Sequence, residues 1–307
     1  MTLRILSLST LYPNSARPNF GVFVERQMQS VMKRGDVDLV MVNPLGIPPW
    51  PLSRHPVYEP LRHLPLREER GGVTVLRPRF RLFPGIGGRW NAALVKSAVL
   101  PLARKLHAQQ AFDLVDAQFF YPDGPAAVAV GKALGLPVSI KARGADIHHW
   151  GRDKGTALQV LDAGLGADGL LAVAQGLADD MTALGIPKDR ITLHRTGLDR
   201  EVFRPLDRAA CRARLDLPAD AAVLATVGAL IPRKGQIFAI EALMHLPGVI
   251  LLLAGAGHDE AVLRAAADAH GVADRVRFLG PVPHGELPEV LSAADVFVRH
   301  TASECLA

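Results

Sequence analysis

The stretch Ala222-Val223-Leu224-Ala225-Thr226-Val227-Gly228-Ala229-Leu230-Ile231-Pro232-Arg233-Lys234-Gly235 decides the fold. An apolar run of strand length is followed by a glycine, a short loop with two cations, and a second glycine. The helical pattern Ile237, Ile240, Glu241, Ala242 and Leu243 comes next. A strand buried on both faces reads as such a continuous run, not as an alternation. A glycine turn from strand into helix puts backbone N–H groups and the positive end of the helix dipole at the strand's carboxyl end, where anions bind. Arg233 and Lys234 add charge suited to phosphate oxygens. The same pattern also fits an ordinary strand–loop–helix turn with two solvated cations, so the rest of the chain has to decide between them.

Toward the carboxyl end the alternation continues. The spacing predicts a strand over 249–254, the turn Gly255-Ala256-Gly257, and a helix over 259–269. A strand over 276–279, a helix over 287–293 and a strand over 296–298 follow. Toward the amino end, a strand over 4–9 leads into a loop carrying Pro13, Asn14, Pro18, Asn19 and Gly21. A helix over 22–33, stopped by Gly35, and a strand over 37–42 come after it. This β–loop–α–β opening is the entry to a doubly wound domain. Gly21 is too isolated for Gly-x-Gly-x-x-Gly, which argues against a standard NAD site.

Residues 43–72 are rich in proline and read as a long loop. After a strand over 73–77, Arg77, Arg79, Arg81 and Arg89 flank Phe80, Leu82, Phe83 and Trp90. A solvated loop with aromatic anchors is one reading; a basic, apolar lip for peripheral membrane contact or an acidic acceptor is the other. No long basic amphipathic face can be traced, which favours the solvated loop. A helix over 91–109, a strand over 113–117, the turn Tyr121-Pro122-Asp123-Gly124, a helix over 125–134 and a strand over 138–142 follow. That last strand ends in Arg143-Gly144-Ala145-Asp146-Ile147-His148-His149-Trp150, at the strand end where doubly wound folds place their sites. Adjacent His148 and His149 rarely chelate one ion, and no Glu or His partner is spaced for it, so no metal is expected. A strand over 169–173, a helix over 175–184 and a strand over 190–194 precede a polar segment. The expected domains are 1–205 and 206–307.

The 307 residues suit two domains, and a hydrophobic content of 49% supplies their cores. A net charge of +5 suits anionic small molecules, a membrane surface or nucleic acid. Aromatic content of 6% leaves little for base stacking, so no nucleic-acid partner is expected. Cys211 and Cys305 make neither a metal spacing nor a disulfide framework. The amino terminus reads as a strand and not as a signal peptide, and no stretch has the length of a membrane span. A cytoplasmic protein is the expectation.

Several segments together resemble a retaining glycosyltransferase of the GT-B fold, of the family-four type (glycosyltransferase group 1). Asn19-Phe20-Gly21-Val22-Phe23-Val24 resembles the family's glycine loop, which meets donor phosphate and acceptor. Tyr121-Pro122-Asp123-Gly124 and Arg143-Gly144-Ala145-Asp146 resemble its cleft segments. Thr196-Gly197-Leu198-Asp199 with Phe203-Arg204-Pro205 is similar to its hinge. Val227-Gly228 with Lys234-Gly235, and Leu253-Ala254-Gly255-Ala256-Gly257, resemble its donor loops. Phe278-Leu279-Gly280, His284, Glu286-Leu287-Pro288 and Ala293–Val298 resemble the run into the catalytic segment, where Ser303-Glu304 matches its first glutamate. The order and spacing cover nearly the whole chain.

The resemblance implies two doubly wound, Rossmann-like α/β domains, acceptor-side first and donor-side second. It implies a nucleotide-sugar donor, a saccharide or lipid-linked acceptor, retention of anomeric configuration, no cofactor and no metal. A location at the inner face of the membrane would suit such an acceptor. Donor contacts fall to Gly21, Gly228, Arg233, Lys234, Gly235, Gly255, Gly257 and Glu304, and catalytic roles to Arg143, Asp146 and Glu304. The leaving nucleoside diphosphate develops negative charge that fixed cations and N–H groups can stabilise. Departures are Ala229 where the family usually carries arginine, Arg143 in place of histidine, and Asp116 and Gln118 in place of histidines. Cys305 stands where glycine is usual, and the chain stops at Ala307, before the family's second glutamate. A truncated second domain is therefore expected, with activity in doubt. The alternatives are a non-catalytic remnant or binding module, and a sugar-nucleotide epimerase of similar two-domain form.

Overall fold

The computed structural model describes residues 2–299. The chain divides into two compact units, with the division between Thr196 and Gly197. The first carries strands β1 (Leu3–Leu8), β2 (Val37–Val42), β3 (Leu45–Ile47), β4 (Arg67–Arg70), β5 (Val73–Leu76), β6 (Arg79–Arg81), β7 (Leu114–Ala117), β8 (Val138–Ala142), β9 (Gly169–Ala172) and β10 (Ile191–Leu193). Its helices are α1 (Val22–Met32), α2 (Glu59–Arg62), α3 (Asn91–Gln109), α4 (Asp123–Leu134), α5 (Ala157–Gly166) and α6 (Gln175–Ala183). Eight of the strands form one sheet in the order β10-β9-β8-β7-β1-β2-β5-β4, while β3 and β6 pair separately.

The sheet's two faces follow from alternation along the strands. Leu6 and Leu8 of β1 and Val40 and Val42 of β2 join the core under α3, α4 and α5. Ile5, Leu39 and Met41 point the other way, onto Val24 and Met28 of α1. Every pairing in the sheet is parallel except β4 with β5. The stretch expected as a loop over 43–72 thus contains a strand of the main sheet. Gly71 and Gly72 both take positive φ and close the β4–β5 hairpin, as a two-residue turn of this kind requires. The edge strand Arg67-Glu68-Glu69-Arg70 is charged, which discourages further pairing.

Arg77 also departs from the expected surface loop. Its side chain is fully buried, ion-paired with Glu68, and bonded to Asn43 and to the carbonyl of Pro13 at 3.0 Å. It ties the hairpin to the loop after β1, while Arg70 of β4 pairs with Glu25 of α1.

The second unit carries α7 (Arg208–Arg214), β11 (Val223–Val227), α8 (Gln236–Ala242), β12 (Ile250–Ala254), α9 (Glu260–Ala269), β13 (Val276–Gly280), α10 (Leu287–Ala293) and β14 (Val296–Phe297). Its sheet runs β13-β12-β11-β14, all parallel. Leu251 and Leu253 pack toward α8 and α9, and Leu252 and Ala254 toward α7 and α10. The Asp207 side chain accepts from the N–H of Ala210 at 2.7 Å and caps α7. Asp295 pairs with Arg208 and Arg212 and accepts from the N–H of Val223, pinning α7 to the sheet. Both units are doubly wound α/β layers, as the sequence predicts.

Candidate functional site

In the second unit the loops after β11, β12 and β13 are joined backbone to backbone. Gly228 N–H donates to Ala254 O at 2.9 Å, Leu230 N–H to Ala256 O at 3.0 Å, and Gly255 N–H to Gly280 O at 2.8 Å. The approach is close enough to dictate the residue type. A Cβ on Gly255 would lie 1.8 Å from Gly228 O, and one on Gly257 would lie 2.0 Å from Leu230 O. The Gln236 amide, buried at the start of α8, donates to Ala229 O at 2.9 Å and fixes the loop that carries the cations. Arg233 is exposed and Lys234 half-buried, in one helical turn over Pro232–Lys234, and Gly235 caps α8 with φ 63°. Glu304 lies outside the described residues.

In the first unit, polar side chains gather at the carboxyl ends of β7 and β8, against α1. Asp146 is fully buried. Its oxygens accept from the N–H groups of Phe120 (2.9 Å), Arg143 (3.0 Å) and Gly144 (2.7 Å), locking the two strand-end loops together. Burial pushes its carboxyl up, and those backbone bonds oppose the shift. Arg143 donates Nε to Gln118 O at 2.6 Å and Nη2 to Gln27 Oε1 at 2.8 Å, and lies over the Phe23 ring at 5.1 Å. Burial lowers its guanidinium to about 10. Lys141, two residues earlier on the same face of β8, is buried and donates to the same Gln27 oxygen at 3.1 Å. Its Nζ also lies 2.7 Å from Nδ1 of His194, and burial lowers the ammonium to about 8. Asp116 accepts from Ser7, Ser139 and Gln118.

Asp123, the first residue of α4, is fully buried and accepts from the N–H of Thr10 at 2.9 Å through Oδ2. Among the described residues its Oδ1 has no partner, and burial pushes the carboxyl up to about 7. Gly21 caps α1, and a Cβ there would meet the Leu11 backbone at 2.4 Å. His148 lies 3.4 Å from the Asp180 carboxylate, and His149 sits edge-on to Trp150.

Two family models match the chain in succession: "Glycosyltransferase Family 4" over residues 57–202 and "Glycosyl transferases group 1" over residues 207–306. A Bacillus subtilis protein named for a glycosyltransferase of teichuronic acid biosynthesis, TuaC, is 29% identical over 310 residues, covering 98% of this chain and 76% of the relative. Among solved structures, sucrose-phosphate synthase of Thermosynechococcus elongatus superposes with a TM-score of 0.75 at 19% identity, over 99% of this chain and 77% of that one. Anabaena HepE in complex with UDP gives 0.69 at 17% identity, over 98% and 74%.

The chain is a GT-B glycosyltransferase.

Within this glycosyltransferase the residues singled out from sequence fall into two local groups. Gly228, Gly255 and Gly257 meet in the interlocked loops of the second unit, beside the Arg233–Gly235 segment. Arg143 and Asp146 meet at the end of β8 in the first. The sequence reading missed Lys141, His194 and Gln27. The period-two relation of Lys141 to Arg143 was available as a signal. The reach of Gln27 from α1 and of His194 from beyond β10 depends on tertiary packing and leaves no local pattern. No helix among the described residues is long and apolar enough to cross a membrane.

Proposed function

We propose that this glycosyltransferase moves a sugar from a nucleotide-sugar donor to a saccharide or lipid-linked envelope acceptor, with retention and without a metal. The observation that carries the reading is the set of interlocked loops at the ends of β11 and β12. The chain there runs past Gly228, Gly255 and Gly257 with Arg233 and Lys234 alongside. Rigid loops of this kind hold N–H groups and cations where a departing diphosphate develops charge, and such preorganisation needs no reorganisation during the reaction. The UDP complex of HepE makes UDP-sugars the first donors to test. The name of TuaC supports an envelope polysaccharide acceptor.

In this reading Arg143 contacts substrate, and Asp146, with both oxygens engaged by backbone, positions it. Glu304 takes the donor-sugar contact that the resemblance assigns to it. The exposed apolar side chains Trp50, Ile86 and Trp90, near exposed arginines in sequence, suit an acceptor held at a membrane surface. The test is incubation of the chain with a UDP-sugar and an oligosaccharide acceptor, read by proton NMR. A product with the donor's anomeric configuration is the expected result. An inverted product contradicts retention, and free epimerised nucleotide-sugar contradicts transfer.

A further inference from the structure

The cations at the end of β8 have an unusual set of partners. Lys141 bonds to the Gln27 amide oxygen and the His194 ring, and Arg143 to Gln27 and Gln118. All of these are neutral acceptors. Among the described residues neither cation makes an ion pair. The nearest carboxylates, Asp116 and Asp146, are held by Ser7, Ser139 and Gln118 and by backbone N–H groups respectively. Asp116 and Asp146 offset part of the cost of holding these cations out of water, but neither pairs with them directly, and the two cations share one amide oxygen.

The geometry also fixes the histidine. An ammonium has donors only, so Nδ1 of His194 must accept from Lys141, and the ring is neutral with its proton on Nε2. Burial, with Lys141 and Arg143 alongside, holds the imidazole below its ordinary range, in keeping with that neutral form. His194 is exposed and Lys141 lies beneath it. Arg143 is half-buried, and its Nη1 has no partner among the described residues and is not a buried atom. The surface therefore offers a guanidinium N–H and an imidazole N–H, linked through three consecutive hydrogen bonds over a buried ammonium. Two N–H donors above a buried positive charge form a receptor for an oxyanion.

We propose that Arg143 Nη1 and His194 Nε2–H bind an oxyanion carried by the acceptor, a phosphate or a uronate carboxylate, with Lys141 as the positioning residue that sets the histidine tautomer and supplies charge. The assignment to the acceptor rests on the proposed function, because the site lies on the first unit and the interlocked loops beside Arg233 and Lys234 lie on the second. No residue of the loops after β11, β12 and β13 takes part in it.

The test reads the His194 ring nitrogens by long-range proton–nitrogen NMR in the 307-residue chain, titrated separately with inorganic phosphate, glucuronate, glucose and UDP. The free chain is expected to show the Nε2–H tautomer. Phosphate or glucuronate should move the ring resonances saturably, the more effective of the two naming the oxyanion class, and glucose should not. Lys141→Met should lose the tautomer preference and weaken the anion about tenfold, through loss of the oriented imidazole N–H and of the charge beneath it, while Lys141→Arg keeps both. Ring resonances unmoved by either anion, or moved equally in folded Lys141→Met, overturn the proposal. Movement by UDP alone assigns the cluster to the donor and overturns it as well. The readout needs no sugar transfer, so its failure is distinct from failure of the proposed reaction.

Discussion

Asp123 shows at the scale of one residue how burial fixes a charge state. With the carboxyl pushed up to about 7 by desolvation, the folded chain keeps a proton that the unfolded chain has lost from the ordinary carboxylate range upward. The folded state binds more protons in that window, so this residue's contribution to stability falls as pH rises from about 4 to about 7 and levels off above. Asp123→Asn keeps an oxygen for the Thr10 N–H and removes the titration. Its melting temperature is expected to fall less than the wild type's between about pH 5 and about pH 8. Parallel thermal scans check this, and equal falls in the two proteins would refute it. The sequence marked Asp123 as part of a turn that resembles a cleft segment, and not as a buried carboxyl. Its burial comes from the approach of the Thr10 backbone, a contact over more than a hundred residues that leaves no trace in local pattern. Arg77 was misread for the same reason, because an arginine beside other arginines reads as solvated until Glu68 and Asn43 are brought to it.

Elements were more legible than residues. The parallel strands of both units are buried on two faces, and their continuous apolar runs stand out against polar connections. The β4–β5 hairpin was missed because Arg67-Glu68-Glu69-Arg70 carries no apolar face, although Gly71-Gly72 is a recognisable hairpin turn. The glycines of the donor loops read from sequence as ligand contacts, and the structure adds a second demand on them, the contact of the β11 and β12 loops with each other. Gly255→Ala would drive a methyl group into the Gly228 carbonyl. A loss of about 2 kcal/mol is expected, the scale of overpacking in a site that cannot relax freely. Hydrogen exchange at the amides of β11 and β12 should report it, with protection in β1 affected less. Unchanged protection in β11 and β12 would show that the loops can separate without cost.

At the scale of the whole molecule, two doubly wound units in one chain were legible from the twofold run of alternating strands and helices. The order of the motif-like segments agreed with the two family models that match in succession. Side-chain clusters within each unit were not legible to the same degree, since they depend on which loop ends the packing brings together. The claim that joins fold to function is that the loops around Arg233 and Lys234 bind the diphosphate of a nucleotide. Calorimetric titration of the 307-residue chain with UDP, GDP and ADP, after a melting curve has shown it folded, tests that claim most directly. Saturable binding of one of the three is predicted, weakened about tenfold or more in Lys234→Ala by the loss of a charge-assisted contact to phosphate. A folded chain that binds none of them, or a Lys234→Ala variant that binds as well as the wild type, would contradict it.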